Sequence, residues 1–318
     1  MAKCNGPTRG DGNDPTGSQR ASTRKACSLN GSLFVTFSRS PTLMWLGHVM
    51  HLRALAVGAG LFALISALAF TLVGRSAPSR PDAKTSNPSS GRPVLVELFT
   101  SEGCSSCPPA DSLLKELSED QPVDGAQIIA LEEHVDYWNH LGWSDAFSSP
   151  DFTRRQEAYA TTLPDGGVYT PQMIVDGRVQ FVGSRSNEAR EKIQLAAAHL
   201  KSRLLLTPVA ASNPQSRSFE LRLDATPPRD SELWLAVTEK NLQSHVTAGE
   251  NSGETLQHAP VVRLLRKIQS IPSHPLEPIR LNFDLRPGWN PANLTAVVFL
   301  ADSHSHQIVA AGLSPATP

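Results

Sequence analysis

Hydrophobic and polar positions divide the 318-residue chain into segments of different character. Residues 1–53 show no periodicity and are rich in Gly, Ser, Thr and Arg. Residues 54–74 contain no charged side chain and are about as long as a bilayer-spanning helix. Residues 75–93 are rich in Pro and Ser and too polar to bury a core. The pattern predicts a disordered basic tail, a signal-anchor or signal-peptide helix that would be transmembrane if uncleaved, and a linker.

The charges beside the apolar segment predict its orientation. Residues 1–53 carry seven Lys or Arg against two Asp, and such basic flanks stay on the cytoplasmic side. We therefore expect the rest of the chain to be exported, to the periplasm or the extracytoplasmic face of a bacterial-type membrane. Arg75 interrupts a small-x-small cleavage site, so an uncleaved membrane anchor is favoured over a removed signal peptide. An organelle transit peptide is the competing interpretation, and Met50 is an alternative start.

Residues 94–203 alternate between strand-like and helix-like patterns. A short apolar run from Val94 is typical of a strand buried on both faces, and leucines at helical spacing follow it. Strand-like runs return at residues 125–135 and 172–182, and helix-like runs at residues 150–163 and 185–203. The apolar side of the last helix is predicted to contain Ile193, Leu195, Ala196 and Leu200. This alternation predicts an α/β domain over residues 94–203.

Beyond Leu204 the pattern changes to seven short apolar or alternating runs. Turns rich in Pro, Asn, Gly and Ser separate them, as in β-sandwiches. The runs are LLLTPVAA, SFELRLDA, ELWLAVTEK, VVRLLRKI, IRLNFDL, LTAVVFLA and QIVAAGL. We predict that residues 204–318 form a second, all-β, sandwich-like domain.

Composition narrows the possible functions. The chain carries 29 Lys and Arg against 30 Asp and Glu, a net charge of −1. It therefore has no basic excess with which to neutralise phosphates, and we expect no nucleic-acid partner. Four cysteines are too few for a disulfide-dense small scaffold. Two of them, Cys104 and Cys107, are three positions apart and are the first candidates for chemistry.

The order strand, CxxC, helix gives this cysteine pair a chemical rationale. A helix that begins at about Cys104 would stabilise a thiolate there through its free N–H groups and its dipole. Cys104, acidic and exposed, is therefore the predicted nucleophile, and Cys107 resolves the mixed disulfide. A purely structural disulfide is the alternative, although a four-residue ring stabilises a fold little. A zinc site is disfavoured because no second cysteine pair follows.

Thr170 and Pro171 precede a short apolar strand that ends in an Asp-Gly turn. A proline at this place resembles the cis-proline loop of thioredoxins and glutaredoxins. In those proteins the loop lies beside the cysteines, and its neighbouring backbone pairs with an extended substrate. We therefore assign Thr170 and Pro171 to the catalytic site together with the two cysteines.

Residues 133–143 combine histidine, aspartate and aromatic side chains at the end of a predicted strand. Strand ends that carry catalytic groups also border the ligand crevice in open α/β sheets. We therefore expect His134 and Asp136 to line the mouth of the site, and Trp138 and Trp143 to form an apolar wall for the substrate. A packed loop anchored by the two tryptophans is an equal alternative.

Four segments carry a resemblance to a known family. FTSEGCSSCPPADSLL, HVDYWNHLGWSDAFSSPDFTRRQEAY, VYTPQMIVDGR and GENSGETLQHAPVVR are similar to the exported thioredoxin-like proteins grouped as domain of unknown function 1223. The resemblance extends from about Val94 to Leu313. It implies a thioredoxin-like α/β fold and thiol chemistry, and it does not imply a particular substrate.

Two features of this chain depart from the relatives. Serines replace the Gly-Pro that separates the cysteines of thioredoxin, and Glu132 and Glu133 stand where apolar strand residues are expected and would raise the pKa of a nearby thiol.

The leading hypothesis is an extracytoplasmic thiol–disulfide oxidoreductase of thioredoxin-like type that needs no cofactor. It would act on a protein or small-molecule disulfide, with the redox partner left open. One alternative is copper(I) handling by Cys104, Cys107 and His134, because copper(I) prefers soft thiolates. The other is a non-catalytic binding scaffold.

The polar loop at residues 249–253 is a weaker candidate site. Alternating histidines in turns usually face water, so no metal is assigned to His245, His258, His274, His304 and His306.

Overall fold

Alternating strands and helices open the described part of the chain. The computed structural model of the protein describes residues 91–224, 226–228, 230–271 and 278–315, which belong to one compact unit. The first elements are β1 (Arg92–Thr100), α1 (Pro108–Asp120), β2 (Ala126–His134), α2 (Pro150–Thr162), β3 (Gln172–Val175), β4 (Val179–Val182) and α3 (Ser186–Ala198). Each of them corresponds to a run that the hydrophobic pattern predicts.

Strands dominate the described residues after 200. They are β5 (Ser202–Val209), β6 (Ser216–Leu223), β7 (Ser231–Glu239), β8 (Gln243–His245), β9 (Thr255–Gln257), β10 (Val261–Ile271), β11 (Ile279–Asp284), β12 (Leu294–Asp302) and β13 (Ile308–Leu313). The seven predicted runs correspond to seven of these strands. The sequence does not predict β8 and β9, because three residues are too few to show a period. These two strands form a separate two-stranded ribbon.

Apart from this ribbon, the described strands form one mixed sheet of eleven strands, in the order β11-β6-β5-β13-β12-β7-β10-β2-β1-β3-β4. The two halves meet where β2 and β10 run parallel, and Glu132 N donates to Pro260 O (3.0 Å). The expected fold class, an α/β thioredoxin-like domain followed by a separate all-β sandwich-like domain, is therefore wrong. Hydrophobic periodicity locates strands but not their partners, and here the later strands extend the first sheet.

The predictions for the N-terminal part lie outside the described residues. They are the tail of residues 1–53, the transmembrane or signal helix of residues 54–74, and the linker as far as residue 90. None of the helices in the described ranges combines the length and the apolar character that a membrane crossing requires.

The pleat of β1 and β2 sends alternate side chains to opposite faces of the sheet. On one face, Val96 and Ile128 pack against α1 and α3. On the other face, Leu95 and Ile129 share a core with Phe299 from β12. This second core is built from both halves of the chain, which explains why strands predicted to form two domains remain together.

Helix α3 buries fewer positions than the sequence predicts. Ile193 and Ala196 are buried, but Leu195 is 54% exposed and Leu200 is 87% exposed. The helix ends at Ala198, so Leu200 lies beyond it. Leu195 is two residues from Ile193, about 200° around the helix axis. The assignment of these two leucines to the apolar side is therefore wrong.

Candidate functional site

A disulfide joins Cys104 and Cys107 between β1 and α1. The helix begins at Pro108, not at about Cys104 as predicted, and Cys107 is its N-cap. The prolines at the first two helical positions have no N–H to donate, so the first α-helical hydrogen bond runs from Asp111 N to Cys107 O (3.1 Å). Cys104 consequently lies in a turn ahead of the helix, where Ser106 Oγ is 3.4 Å from its Sγ.

A loop from the second half of the chain lies over the cysteine motif. This covering loop, residues 246–254, connects β8 to β9. The Nδ2 group of Asn251 donates to the carbonyl oxygens of Glu102 (2.8 Å) and Cys104 (3.0 Å). Asn251 is itself buried, so both hydrogen bonds are shielded from water and hold the loop against the motif.

A second contact fixes the covering loop from its exposed side. Ser105 donates through its backbone N (3.1 Å) and its Oγ (2.7 Å) to Glu250 Oε2. With the loop in place, the side chains of Cys104 and Cys107 are buried, whereas Ser105 is exposed. The expected exposure of Cys104 is therefore not met in this state. The covering contacts come from residues about 145 positions away in the sequence, which local pattern does not place.

The Thr170–Pro171 peptide bond is cis, as the resemblance to cis-proline loops predicts. Gly183 shows how near this bond lies to α1. A Cβ atom added at Gly183 would be 3.1 Å from the Cβ of Ala110 and 3.4 Å from the Cβ of Pro171. Ala110 is in the first turn of α1, so the proline lies beside the start of the helix that carries the cysteine pair.

Both predicted tryptophans flank the cysteine motif. Trp138 Nε1 donates to Thr170 Oγ1 (2.9 Å), which ties the tryptophan to the proline loop. Trp143 Nε1 donates to Glu102 Oε2 (2.7 Å), and its Cβ would be 3.2 Å from a Cβ added at Gly249 of the covering loop. Both tryptophans are partly exposed, and their contact with a substrate stays a prediction.

The structure separates the other two predicted mouth residues. Thr153 Oγ1 donates to Asp136 Oδ1 (2.6 Å) and accepts from Asp136 N (3.2 Å), so Asp136 ties the end of β2 to α2. His134 is buried and points into the protein, where its Nδ1 lies 2.7 Å from Asp145 Oδ2. The two side chains thus belong to different environments.

Six titratable side chains are buried together on the face of β2 that packs against α1. We call Glu102, Asp111, Glu132, His134, Asp145 and His258 the polar cluster, and each is at most 4% exposed. His134 Nε2 and His258 Nδ1 each lie 3.1 Å from Glu132 Oε1. The donor atoms of these three residues lie within 4.8 Å of one another, a spacing that suits a metal ion. The other oxygen, Glu132 Oε2, has no hydrogen-bond partner among the described residues.

Burial and mutual contact set the charges of the polar cluster. Burial lowers the pKa of both histidines, but contacts with carboxylates outweigh it. They hold the pKa of His134 well above its ordinary value and raise that of His258 to about 9. Burial raises the pKa of Glu132, but both histidines outweigh it and the pKa is lowered. Burial likewise raises the pKa of Asp145, but His134 and two backbone N–H groups outweigh it and lower the pKa. Two imidazolium rings therefore face two carboxylates at neutral pH.

Asp111 behaves differently, because burial, reinforced by the charge of Glu132, raises its pKa to about 8. The folded protein keeps this proton, whereas the unfolded chain releases it above about pH 4, so rising pH destabilises the fold between about pH 4 and 8. We expect Asp111→Asn to remove this dependence. Urea unfolding measures the free energy of unfolding between pH 5 and 8. As the pH rises, the value for the variant should increase relative to that of the wild type by about 1 kcal/mol per pH unit.

Asp120 provides the control for this experiment, because it is the exposed last residue of the same helix. Asp120→Asn should keep the pH profile of the wild type. If Asp111→Asn also ran parallel to the wild type, Asp111 would not hold the buried proton.

The opposite face of the sheet carries a second buried network. Arg155 of α2 donates through Nε to Glu97 Oε1 and through Nη2 to the hydroxyl of Tyr159 (2.9 Å). That hydroxyl donates to Glu97 Oε2 (2.6 Å). Glu133 lies beside them, and burial, reinforced by Glu97, raises its pKa well above the ordinary value. Strand alternation therefore sends Glu132 and Glu133 to opposite faces.

Sequence reasoning missed Asp111, Asp145 and the place of His258. Asp111 carries a usable signal, because it is three positions before Leu114 and so lies on the buried face of its helix. Asp145 and His258 carry none, since tertiary contacts alone bring them to β2. Among the described residues, His245, His304 and His306 do not join His258 in a group with metal-ligand spacing, and His274 lies outside the described ranges. The polar loop at residues 249–253 is part of the covering loop.

Comparison with known proteins identifies relatives without a stated activity. A family model described as "Protein of unknown function (DUF1223)" matches residues 95–301. The crystal structure of a structural-genomics target protein from Agrobacterium tumefaciens is 24% identical, with a TM-score of 0.54, over 71% of this chain and 96% of that chain. A β-glucosidase structure from Kluyveromyces marxianus is 12% identical over 37% of this chain and 14% of that chain, and its TM-score of 0.17 is too low to indicate a shared fold. No curated protein sequence matches significantly.

The Agrobacterium protein shares the fold of this chain over 96% of the Agrobacterium chain. The family model covers more than half of this chain and includes the cysteine pair, the cis-proline and the polar cluster. The chain therefore belongs to the DUF1223 family of proteins of unknown function.

Proposed function

We propose that the protein is a thiol–disulfide oxidoreductase whose working couple is Cys104 and Cys107. The observation that carries the proposal is the disulfide between them at the start of α1, beside the Thr170–Pro171 loop. A ring of four residues adds little stability by restricting the unfolded chain. A role in exchange chemistry therefore explains the pair better than a structural role. An exported location would suit it, because disulfides persist outside the cytoplasm.

The proposed reaction begins with the reduced pair. Cys104 Sγ attacks a substrate disulfide, forms a mixed disulfide and releases the first substrate thiolate. Cys107 Sγ then attacks Cys104 Sγ, which restores the Cys104–Cys107 disulfide and releases the second thiolate. Two electrons pass to the substrate, and its two thiolates take up the protons. A dithiol partner must then reduce the pair, and the reverse sequence oxidises a substrate dithiol.

Three neighbours support thiolate formation at the pair. The positive end of the α1 dipole favours negative charge at the start of the helix. The hydroxyl of Ser106 is placed to donate to Cys104 Sγ once the disulfide is reduced. Asp111 lies one helical turn after Cys107. A buried carboxyl with a pKa of about 8 is suited to exchange a proton with the Cys107 thiol as it attacks.

Substrate access in this proposal requires movement of the covering loop. Its contacts with the motif are hydrogen bonds from Asn251 and to Glu250, and a loop of this kind opens more easily than a packed core. The disulfide would then be reactive only while the loop is displaced. The proposal thus joins a local opening step to the exchange chemistry.

Thiol exchange by the purified full-length chain tests the proposal. We expect the chain to equilibrate with dithiothreitol redox buffers and to catalyse the reduction of insulin. Cys104→Ser should abolish turnover, and Cys107→Ser should also trap a mixed disulfide on Cys104. The matched control is Cys4→Ser with Cys27→Ser, which removes the only other cysteines of the chain and should keep the wild-type rate.

Other outcomes would favour the alternative functions. An absence of both exchange and insulin reduction would contradict the oxidoreductase. Anaerobic binding of one copper(I) ion, lost in both Cys104→Ser and Cys107→Ser, would then favour copper handling. An absence of copper binding as well would favour a binding scaffold.

A further inference from the structure

We propose that Glu132, His134 and His258 form a binding site for a divalent transition metal such as zinc. The three residues come from β2 and from the segment just before β10, and none of them belongs to the cysteine pair. The proposal does not depend on thiol chemistry, and it differs from copper(I) handling, which would use the thiolates.

The spacing of the donor atoms matches a tetrahedral ion. His134 Nε2 and His258 Nδ1 each lie 3.1 Å from Glu132 Oε1. Zinc bonds to nitrogen and oxygen of about 2.0–2.1 Å at the tetrahedral angle place neighbouring donors about 3.3 Å apart. Both nitrogen–oxygen distances are therefore within a few tenths of an ångström of the tetrahedral spacing, and all three donor atoms lie within 4.8 Å of one another.

Both histidines are oriented by partners on their far nitrogens. His134 Nδ1 lies 2.7 Å from Asp145 Oδ2, and the backbone N of Glu102 fixes that same oxygen by donating to it (2.9 Å). His258 Nε2 lies 2.9 Å from Ser244 Oγ. Such outer contacts fix the tautomer and direct the remaining nitrogen at the metal, as is usual for histidine ligands.

Glu132 supplies an independent sign of a missing ligand. The residue is completely buried, yet its Oε2 has no hydrogen-bond partner among the described residues. A buried carboxylate oxygen without a partner is unfavourable, and a metal ion held by both oxygens of Glu132 would satisfy it. The carboxylate of Glu132 thus places Oε1 beside the two imidazole nitrogens and leaves the buried Oε2 without a partner.

A metal ion binds the neutral form of histidine. Any proton held on His134 Nε2 or His258 Nδ1 would therefore be released to solvent as the ion binds. His258 also lines a cleft of about 340 Å³ together with Thr238 and Asn241.

Zinc titration of the purified full-length chain in its oxidised, metal-free form tests the proposal. With a chromophoric chelator as competitor, we expect one zinc ion to bind at this site. Glu132→Gln and His258→Gln should each weaken binding by at least a hundredfold, and Asp145→Asn by about 10- to 100-fold. His245→Gln is the matched control, because His245 is an exposed histidine on β8, and it should bind zinc like the wild type.

Two further measurements identify the ligands. The Cys104→Ser with Cys107→Ser variant should bind zinc as the wild type does, and cobalt(II) should give the visible spectrum of a nitrogen and oxygen site without thiolate bands. Circular dichroism shows which variants are folded. If Glu132→Gln does not fold, His258→Gln and Asp145→Asn decide the question. The proposal is overturned if zinc does not bind, if binding survives substitution of these residues, or if it is lost with the cysteines.

Discussion

Replacing Arg155 with alanine is expected to lower the free energy of unfolding by about 3–5 kcal/mol. Arg155 is buried and ion-paired with Glu97, which is completely buried. Without the guanidinium, the Glu97 carboxylate would remain inside the sheet core with no cation to balance it. The guanidinium carbon also lies 5.1, 5.2 and 4.9 Å from the ring centroids of Tyr159, Trp234 and Phe299. These cation–π contacts would be lost as well.

The neighbouring Arg154 is the matched control. It is largely exposed and pairs with Asp151 on the helix surface, so Arg154→Ala should cost about 1 kcal/mol or less. Urea unfolding followed by tryptophan fluorescence measures both variants, with Trp234 reporting beside the network. Combining Arg155→Met with Glu97→Gln should recover much of the loss, because no buried charge is then left alone. Equal losses for Arg155→Ala and Arg154→Ala would contradict the buried ion pair.

Replacing Asn251 with alanine is expected to make the Cys104–Cys107 disulfide react faster with dithiothreitol. Two buried hydrogen bonds from Asn251 hold the covering loop on the motif. Each contributes about 0.5–1.5 kcal/mol net, so their loss should raise the open population, and with it the reduction rate, roughly 5- to 150-fold. Thiol release measures this rate in a chain that also carries Cys4→Ser and Cys27→Ser.

Ser252 offers the control within the same loop. It is exposed, and its hydroxyl donates only within the loop, to Thr247 O (3.2 Å), so Ser252→Ala should leave the rate unchanged. The faster reaction of Asn251→Ala should depend little on low urea concentrations, because opening one loop exposes little surface. An unchanged rate would show that the loop does not control access to the disulfide.

The elements of the fold follow closely from local sequence pattern. The run from Val94 and the spaced leucines before Asp120 correspond to β1 and α1 because their periods match the pleat and the helical turn. The start of α1 departs from the expectation because two prolines have no N–H with which to continue the helix towards Cys104. The β8–β9 ribbon goes unpredicted because it is too short for any period.

The candidate site follows from the sequence only in part. The cysteine pair and Thr170–Pro171 carry motifs in consecutive residues, and the structure brings them together. Glu132 is detectable as an acid in an apolar strand, but its environment is not. His258 is 126 residues further along the chain, and it reaches Glu132 only because β10 pairs with β2.

The sequence by itself determined where strands and helices form and which cysteines pair as a motif, because periodicity, turn residues and short-range spacing act over a few residues. Only the tertiary structure decided that the strands of both halves form one sheet, that a distant loop covers the cysteines, and that Glu132, His134 and His258 converge. Those features depend on which strands pair. The free energy of pairing comes from burying a shared apolar face, and many partners satisfy the same local pattern equally well.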